Sequence, residues 1–151
     1  MNDQTRFCTA QEVADTKYTA DVRPLFQAAK AIAGKTPKTL ISDGAANFHE
    51  AYNKELRVNR LDSPKHIQDI RFDGKVHNNK MERFNGEIRD REKVIRGVKR
   101  EDSPLIAGLQ IYHNYIRPHM ALENQTPAEA AGITVEGKNK WITIIQNASK
   151  K

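Results

Sequence analysis

The sequence predicts an α/β fold with a helical C-terminal end. Short apolar strands alternate with amphipathic helices through the first half, and helical periodicity alone follows. The chain has 151 residues, 38% hydrophobic and 29% charged, which is enough for one real core and argues against wholesale disorder. The longest apolar stretch, residues 105–116, is broken by Gln110, His113 and Asn114, so it falls short of the ~18 apolar residues a membrane span needs. The first residues lack the basic-then-apolar pattern of a signal peptide. A lone cysteine, Cys8, excludes an internal disulfide framework and a cysteine-based zinc site. A soluble intracellular protein is expected.

Residues 6–13 alternate loosely and predict a strand. Asp21 suits the cap of a first helix, with Pro24 inside its first turn, where a missing N–H costs little. Val22, Leu25, Phe26, Ala29, Ile32 and Ala33 follow at helical spacing, and Gly34 ends the run. Residues 38–43 form a short apolar strand halted by Asp43-Gly44. A second helix over 46–56 places Phe48, Ala51, Tyr52 and Leu56 on one face, and residues 66–72 predict another strand. Asp73-Gly74 opens a polar loop running to Asn79.

A long helix is predicted over 79–98, with Met81, Phe84, Ile88, Ile95 and Val98 as its apolar stripe. Ser103-Pro104 starts a helix over 105–116, and Arg117-Pro118 stops it. Thr126-Pro127-Ala128-Glu129 spells a capping box with proline at the first helical position, so a short helix runs to Gly132. Residues 1–133 are expected to form the main domain. Residues 134–151 form a tail whose apolar cluster spans 141–145, with Trp141 as a packing plug. Internal repeats are absent from the sequence.

The net charge is +6, and its distribution is uneven. Between Lys75 and Arg100, nine Lys and Arg stand against Glu82, Glu87, Asp90 and Glu92, so this window carries nearly all the excess. Such a stripe is the footprint of a polyanion binder, or else a solvated helix face laced with ion pairs. Two carboxylates hold candidate positions. Asp43 ends an apolar strand, where ligands collect in open α/β sheets, although Asp-Gly is also ordinary turn chemistry. Glu82 shares one helix face with Asn78, Asn85, Gly86 and Arg89, offset from the apolar stripe. It also completes a capping box with Asn79. His66, in a strand, and Cys8 suit structural roles, and His77 lies in the loop before Glu82.

Four segments in order carry a family resemblance: Asp43-Gly44, residues 78–85 (NNKMERFN), residues 112–119 (YHNYIRPH) and residues 126–130 (TPAEA). Together the chain resembles the DDE transposases of bacterial and archaeal insertion sequences, to about Gly132. The Tyr-x-Asn-x-x-Arg-Pro-His segment followed by Thr-Pro-Ala-Glu is its most specific part. The resemblance implies a ribonuclease H-like, integrase-type catalytic core: a mixed sheet flanked by helices, with the first strand largely missing at the N-terminus. Asp43 then matches the second catalytic aspartate and Glu82 the catalytic glutamate, with 38 residues between them. Arg89 matches the basic position that follows the glutamate. Aligning on Thr5-Arg6-Phe7 puts Asn2 where the first catalytic aspartate belongs, with Asp3 one step later and, in a strand, on the other face.

The chemistry so implied is metal-dependent cleavage and strand transfer on DNA. Mg2+ or Mn2+, two ions, would be held by Asp43, Glu82 and Asp3, since hard cations take carboxylate oxygens. DNA would be held by Lys80, Arg83, Arg89, Lys93, Arg96, Arg117 and His119, with affinity coming from phosphate contacts. The partners expected are transposon ends, target DNA and further copies of the chain. A nucleoid-associated cytoplasmic location goes with them. Because Asn2 removes a unit charge from the metal set, the chain is expected to be weak or inactive as an enzyme. A non-catalytic DNA-binding remnant, or another ribonuclease H-like nuclease, is the alternative.

Overall fold

Two short parallel strands hold the first half of the chain together. In the computed structural model, which describes residues 1–68, 78–96 and 103–150, β1 (Thr39–Ile41) pairs with β2 (Lys65–Ile67). Thr39 lies opposite Lys65, Leu40 opposite His66 and Ile41 opposite Ile67. Backbone bonds from Lys65 to the Lys38 carbonyl and from Ser42 to the Ile67 carbonyl extend the ladder at both ends. The crossover between the strands is helix α2 (Ala46–Glu55), because parallel neighbours need a long connection. The predicted α/β class is borne out at that level. Residues 69–72 of the expected second strand lie outside the described residues.

Helix α1 (Thr19–Ala33) packs on α2. Val22 and Phe26 from α1 meet Ala51, Tyr52 and Leu56 from the second helical segment, with Leu40 and Phe48 against them. The Phe26 and Phe48 rings meet edge to face at 6.0 Å. Ile32, expected on the same stripe, is 62% exposed, so burial stops one turn before the Gly34 cap, whose φ is +63°. The helix is capped at Tyr18, three residues before the expected cap Asp21. Asp21 instead accepts the Tyr18 N–H (3.0 Å), capping the first turn from inside. Pro24 is thereby moved past the first turn, where it cannot donate to the Ala20 carbonyl. Arg23 and Glu55 join the two helices at 2.5 Å.

Helix α3 (Asn79–Ile95) buries Phe84. Met81 and Ile88 are half-buried, but Val94 is 80% exposed and Ile95 also faces solvent, so the C-terminal half of the expected stripe is not covered within the described residues. Residues 97 and 98 lie outside the description.

The chain divides into two compact units, Thr9–Asp102 and a second that joins Met1–Cys8 to Ser103–Lys151. In the second, α4 (Pro104–Ile111) opens on a Ser103 cap, as predicted. It does not continue as an α-helix to Ile116. Residues Tyr112–Ile116 form a π-helical turn, closed by the Arg117 N–H on the Tyr112 carbonyl at 2.9 Å. The wider turn brings His113 and Asn114, 5% and 2% exposed, both into the interior.

Asn114 meets the start of the chain there. Its Oδ1 accepts the Cys8 N–H (2.8 Å) and its Nδ2 donates to the Cys8 carbonyl (2.9 Å), so one side chain replaces a neighbouring strand. Gln110 adds a second donor to the same carbonyl (2.8 Å), and His113 Nε2 donates to the Arg6 carbonyl (3.0 Å). Phe7 packs edge to face on Tyr115. Residues 6–13 are therefore not the predicted strand. Arg6 adopts φ +58°, a conformation strands do not use, and the backbone polar groups beyond it find side chains instead of a ladder.

Helix α5 (Pro127–Ala130) is built as predicted. Thr126 Oγ1 accepts the Glu129 N–H (3.2 Å), and Glu129 returns a bond to the Thr126 N–H (2.8 Å). Helix α6 (Lys140–Ala148) rises from an Asn139 cap, and Lys140 reaches Glu129 at 2.6 Å. Trp141, expected as a packing plug, is 38% exposed. No helix among the described residues is long and apolar enough to cross a membrane.

Two outcomes follow for this unit. Asn114→Ala removes both bonds to Cys8 and leaves a cavity. It should lower stability by about 2–4 kcal/mol, seen as a lower urea midpoint with an unchanged slope. The Lys140 ammonium, then the Thr126 N–H, holds the Glu129 carboxyl down to about 2 from 4.5. A depressed carboxyl stabilises above its unfolded pKa, so its contribution is complete above about pH 4.5 and disappears as pH falls toward about 2. With both side chains about a third exposed, it amounts to roughly 1 kcal/mol. In an acid titration of wild type against Glu129→Gln, the advantage of wild type should be constant above about pH 4.5 and vanish as pH falls through that window.

Candidate nucleic-acid and metal site

Asp43 sits two residues past β1, at the carboxyl end of the parallel pair. Its side chain is exposed, and Oδ1 accepts the Ala45 N–H at 3.2 Å, bending the chain toward α2. Gly44 follows at φ +80°, and a Cβ there would lie 3.3 Å from the Gln68 carbonyl oxygen. Glycine is thus required both by conformation and by close approach. The turn presents a carboxylate at the mouth of the sheet.

Glu82 lies in the first turn of α3 and is exposed. The capping box with Asn79 is not formed. The cap residue is Asn78, whose carbonyl accepts the Glu82 N–H (3.0 Å), and Asn79 is already helical. The Glu82 carboxylate has no hydrogen bond or ion pair to another described residue, which leaves its oxygens available to a ligand. Lys80, Arg83, Arg89 and Lys93 lie on the same helix, and Arg96 is its C-cap at φ +60°. Arg83, Arg89, Lys93 and Arg96 are exposed, and Lys93 pairs with Asp90 at 3.2 Å. Along residues 79–96, six cations stand against four acids, so much of the excess charge of the wider window falls on residues outside the description. His77 is also outside it.

The other candidates belong to the second unit. Asn2 does not end a strand. Its Oδ1 accepts the N–H groups of Gln4 and Thr5, both at 2.9 Å, while its backbone bonds to Phe7 and Arg6. The side-chain oxygen that the resemblance would assign to a metal is engaged in closing this turn. Asp3, exposed, lies in the same turn, so the argument that alternate strand faces separate it from Asn2 does not apply. Arg117 ends the π turn. His119 packs its ring on His113 at 4.8 Å, and its N–H donates to the Gln125 carbonyl (3.0 Å). It anchors the end of the turn. Among the described residues, no three His, Cys, Asp or Glu side chains converge as a metal-binding group.

One cluster was not foreseen. His66, expected to be structural, occupies the middle of β2, and its Nε2 lies 2.9 Å from the buried Ser42 Oγ. Its Nδ1 is 3.1 Å from Gln68 Nε2, which also contacts His49 Nδ1. The His49 and His66 rings are nearly parallel with centroids 5.7 Å apart, and Tyr52 tilts against His66 at 4.7 Å. Tyr52 OH donates to the Pro64 carbonyl at 2.6 Å. His49 carries no sequence signal of its own: it is a polar residue on the outer side of a short helix. Only the pairing register, which puts His66 opposite Leu40 with its ring reaching Ser42, brings the two rings together.

Comparison of the chain with family models, with curated proteins and with solved structures gives no match.

Burial, followed by the nearby His49, holds the His66 imidazole below its ordinary 6.5. The folded chain then binds fewer protons than the unfolded chain just below that value, so stability should fall as pH drops through about 6.5. Thermal unfolding of wild type and His66→Gln between about pH 7.5 and 5.5 checks this; the variant should show the flatter profile.

Proposed function

We propose that this chain is the catalytic domain of a DDE-type DNA transposase with a ribonuclease H-like fold, acting in DNA recombination as one of several copies. The observation that carries the reading is the order of motifs in which Asp43 closes β1 and Glu82 opens α3, both exposed and 38 residues apart in sequence. The basic side chains of α3 continue from Glu82 along a helix about 25 Å long, which suits a phosphate backbone. The donor chemistry fits a hard divalent ion. Mg2+ is usually held by one or two carboxylates and otherwise by water and substrate phosphates. Asp43 and Glu82 would hold Mg2+ or Mn2+, which when bound activates the attacking oxygen and stabilises the leaving one. The residues of α3 would bind and orient the strands.

A specific observation favours a second reading, a non-catalytic DNA-binding remnant. Asn2 brings no charge to the metal set, and its side-chain oxygen is engaged by Gln4 and Thr5. In this reading α3 still holds DNA while cleavage is lost.

One experiment covers both. Full-length protein is incubated with supercoiled plasmid and Mn2+ or Mg2+, and DNA binding is measured across a salt series. The enzyme reading expects slow nicking that Asp43→Ala and Glu82→Gln abolish without loss of binding. The remnant expects binding alone. In both, affinity falls steeply with salt, and Arg83→Ala or Arg89→Ala reduces the slope by about one. Absence of DNA binding at low salt removes both readings.

A further inference from the structure

We infer that the turn over residues 57–63 is a minor-groove wedge for duplex DNA, set in a basic surface at the amino end of the β1–β2 pair. Leu61, in the middle of the turn, is 92% exposed and Val58 is 72% exposed, although both side chains are apolar. The turn that displays them is fixed from inside. Asn59 Oδ1 accepts the N–H groups of Leu61 and Asp62, both at 2.8 Å, and its Nδ2 donates to Asp62 Oδ2 at 2.5 Å. Ser63 Oγ accepts the Val58 N–H (3.0 Å) and donates to the Asn59 carbonyl. Both flanks are anchored, since Leu56 and Pro64 are buried and Tyr52 OH donates to the Pro64 carbonyl. A wedge held in this way loses little freedom when it inserts.

The charge around the turn names the partner. Lys35 and Lys38 lead into β1, Arg57 and Arg60 interleave with Val58 and Leu61, and Lys65 opens β2. The Lys65 N–H on the Lys38 carbonyl (3.0 Å) sets two of these residues side by side. Because the strands are parallel, all five come to the same end of the pair, opposite the end that carries Asp43. All five are exposed, and none is in an ion pair with another described residue. Along residues 35–38 and 57–65 they stand against one acid, Asp62, whose carboxylate is taken up by Asn59. They come from three separate stretches, so no single window of the sequence shows them as a cluster. Duplex DNA fits both features. Its phosphates on two strands suit cations spread over a surface, and leucine is among the side chains that minor-groove proteins insert between base steps, with arginine beside it in the groove. A polyacidic peptide would engage the cations and leave Val58 and Leu61 in water. The surface uses neither Asp43 nor any residue of α3, and it stands whether or not the chain cuts DNA.

The test uses the full chain and a duplex of about 30 base pairs with a fluorophore at each end, so that energy transfer reads bending and anisotropy reads binding across a salt series. Wild type is expected to bend the duplex. Leu61→Ala should return energy transfer to the level of the free duplex while the protein stays bound, and Leu61→Met should keep the bend. Arg57→Ala and Arg60→Ala should each reduce the salt slope by about one. These positions are exposed, so the variants should unfold at the wild-type temperature. Bending unchanged in Leu61→Ala overturns the proposal, as does a salt slope unchanged in both arginine variants. If Arg83→Ala and Arg89→Ala lower the slope in that same assay, the reading of α3 survives the failure. A slope lowered by Arg57→Ala and Arg60→Ala but not by the α3 variants upholds the wedge and removes α3 from DNA. Binding of polyglutamate or of phosphatidylserine vesicles in place of the duplex, lost in Arg60→Ala, overturns the proposal by giving the surface to an acidic protein or a lipid.

Discussion

The unit that joins the two ends of the chain depends on the pairing of the Asn114 amide with the backbone of Cys8. Residues 6–8 carry polar backbone groups into an interior where, among the described residues, no strand receives them. An unpaired buried N–H or carbonyl costs about as much as several ordinary hydrogen bonds gain. A side-chain amide is the one neutral group that offers donor and acceptor side by side, as a peptide does. Asn114 supplies both, and Gln110 and His113 satisfy neighbouring groups. Phe7 and Cys8 can then be buried without an exposed edge beside them.

This changes what the most specific motif means. In residues 112–119, His113 and Asn114 serve the fold, and His119 packs on His113. Thr126 and Glu129 are a capping box tied to α6 through Lys140. Much of the segment that carries the family resemblance is therefore a device for joining chain ends, which any protein with this helix arrangement would need to retain. Asp43, Glu82 and the exposed cations of α3, by contrast, are left facing outward by the fold.

How much was legible in the sequence depends on how local the cause is. Gly34, the Ser103 cap, the Thr126 capping box and the Asp43-Gly44 turn were all readable, because each is decided within a few residues. The apolar faces of α1 and α2 followed from periodicity. The expected strand at residues 6–13 failed because partners more than a hundred positions away took up its backbone groups. The cap expected at Asp21 lies three residues earlier, at Tyr18, since a reciprocal cap from inside the helix looks in sequence like a cap from outside. Of the site, Asp43 and Glu82 could be picked out, but the pairing of His49 with His66 could not. It is created by strand register, to which no single position contributes a signal.

The π turn over Tyr112–Ile116 has a consequence of another kind. It stores one surplus residue within an otherwise regular helix, and that surplus sets the angular phase of everything after it. Each α-helical residue advances about 100° around the axis. Shortening this stretch by one residue restores an unbroken α-helix, yet swings the amide that grips Cys8 off its mark by more than a quarter of a revolution. Length in this part of the chain is therefore a stricter heritable constraint than composition, and lineages that keep the grip should vary in letters here long before they vary in number.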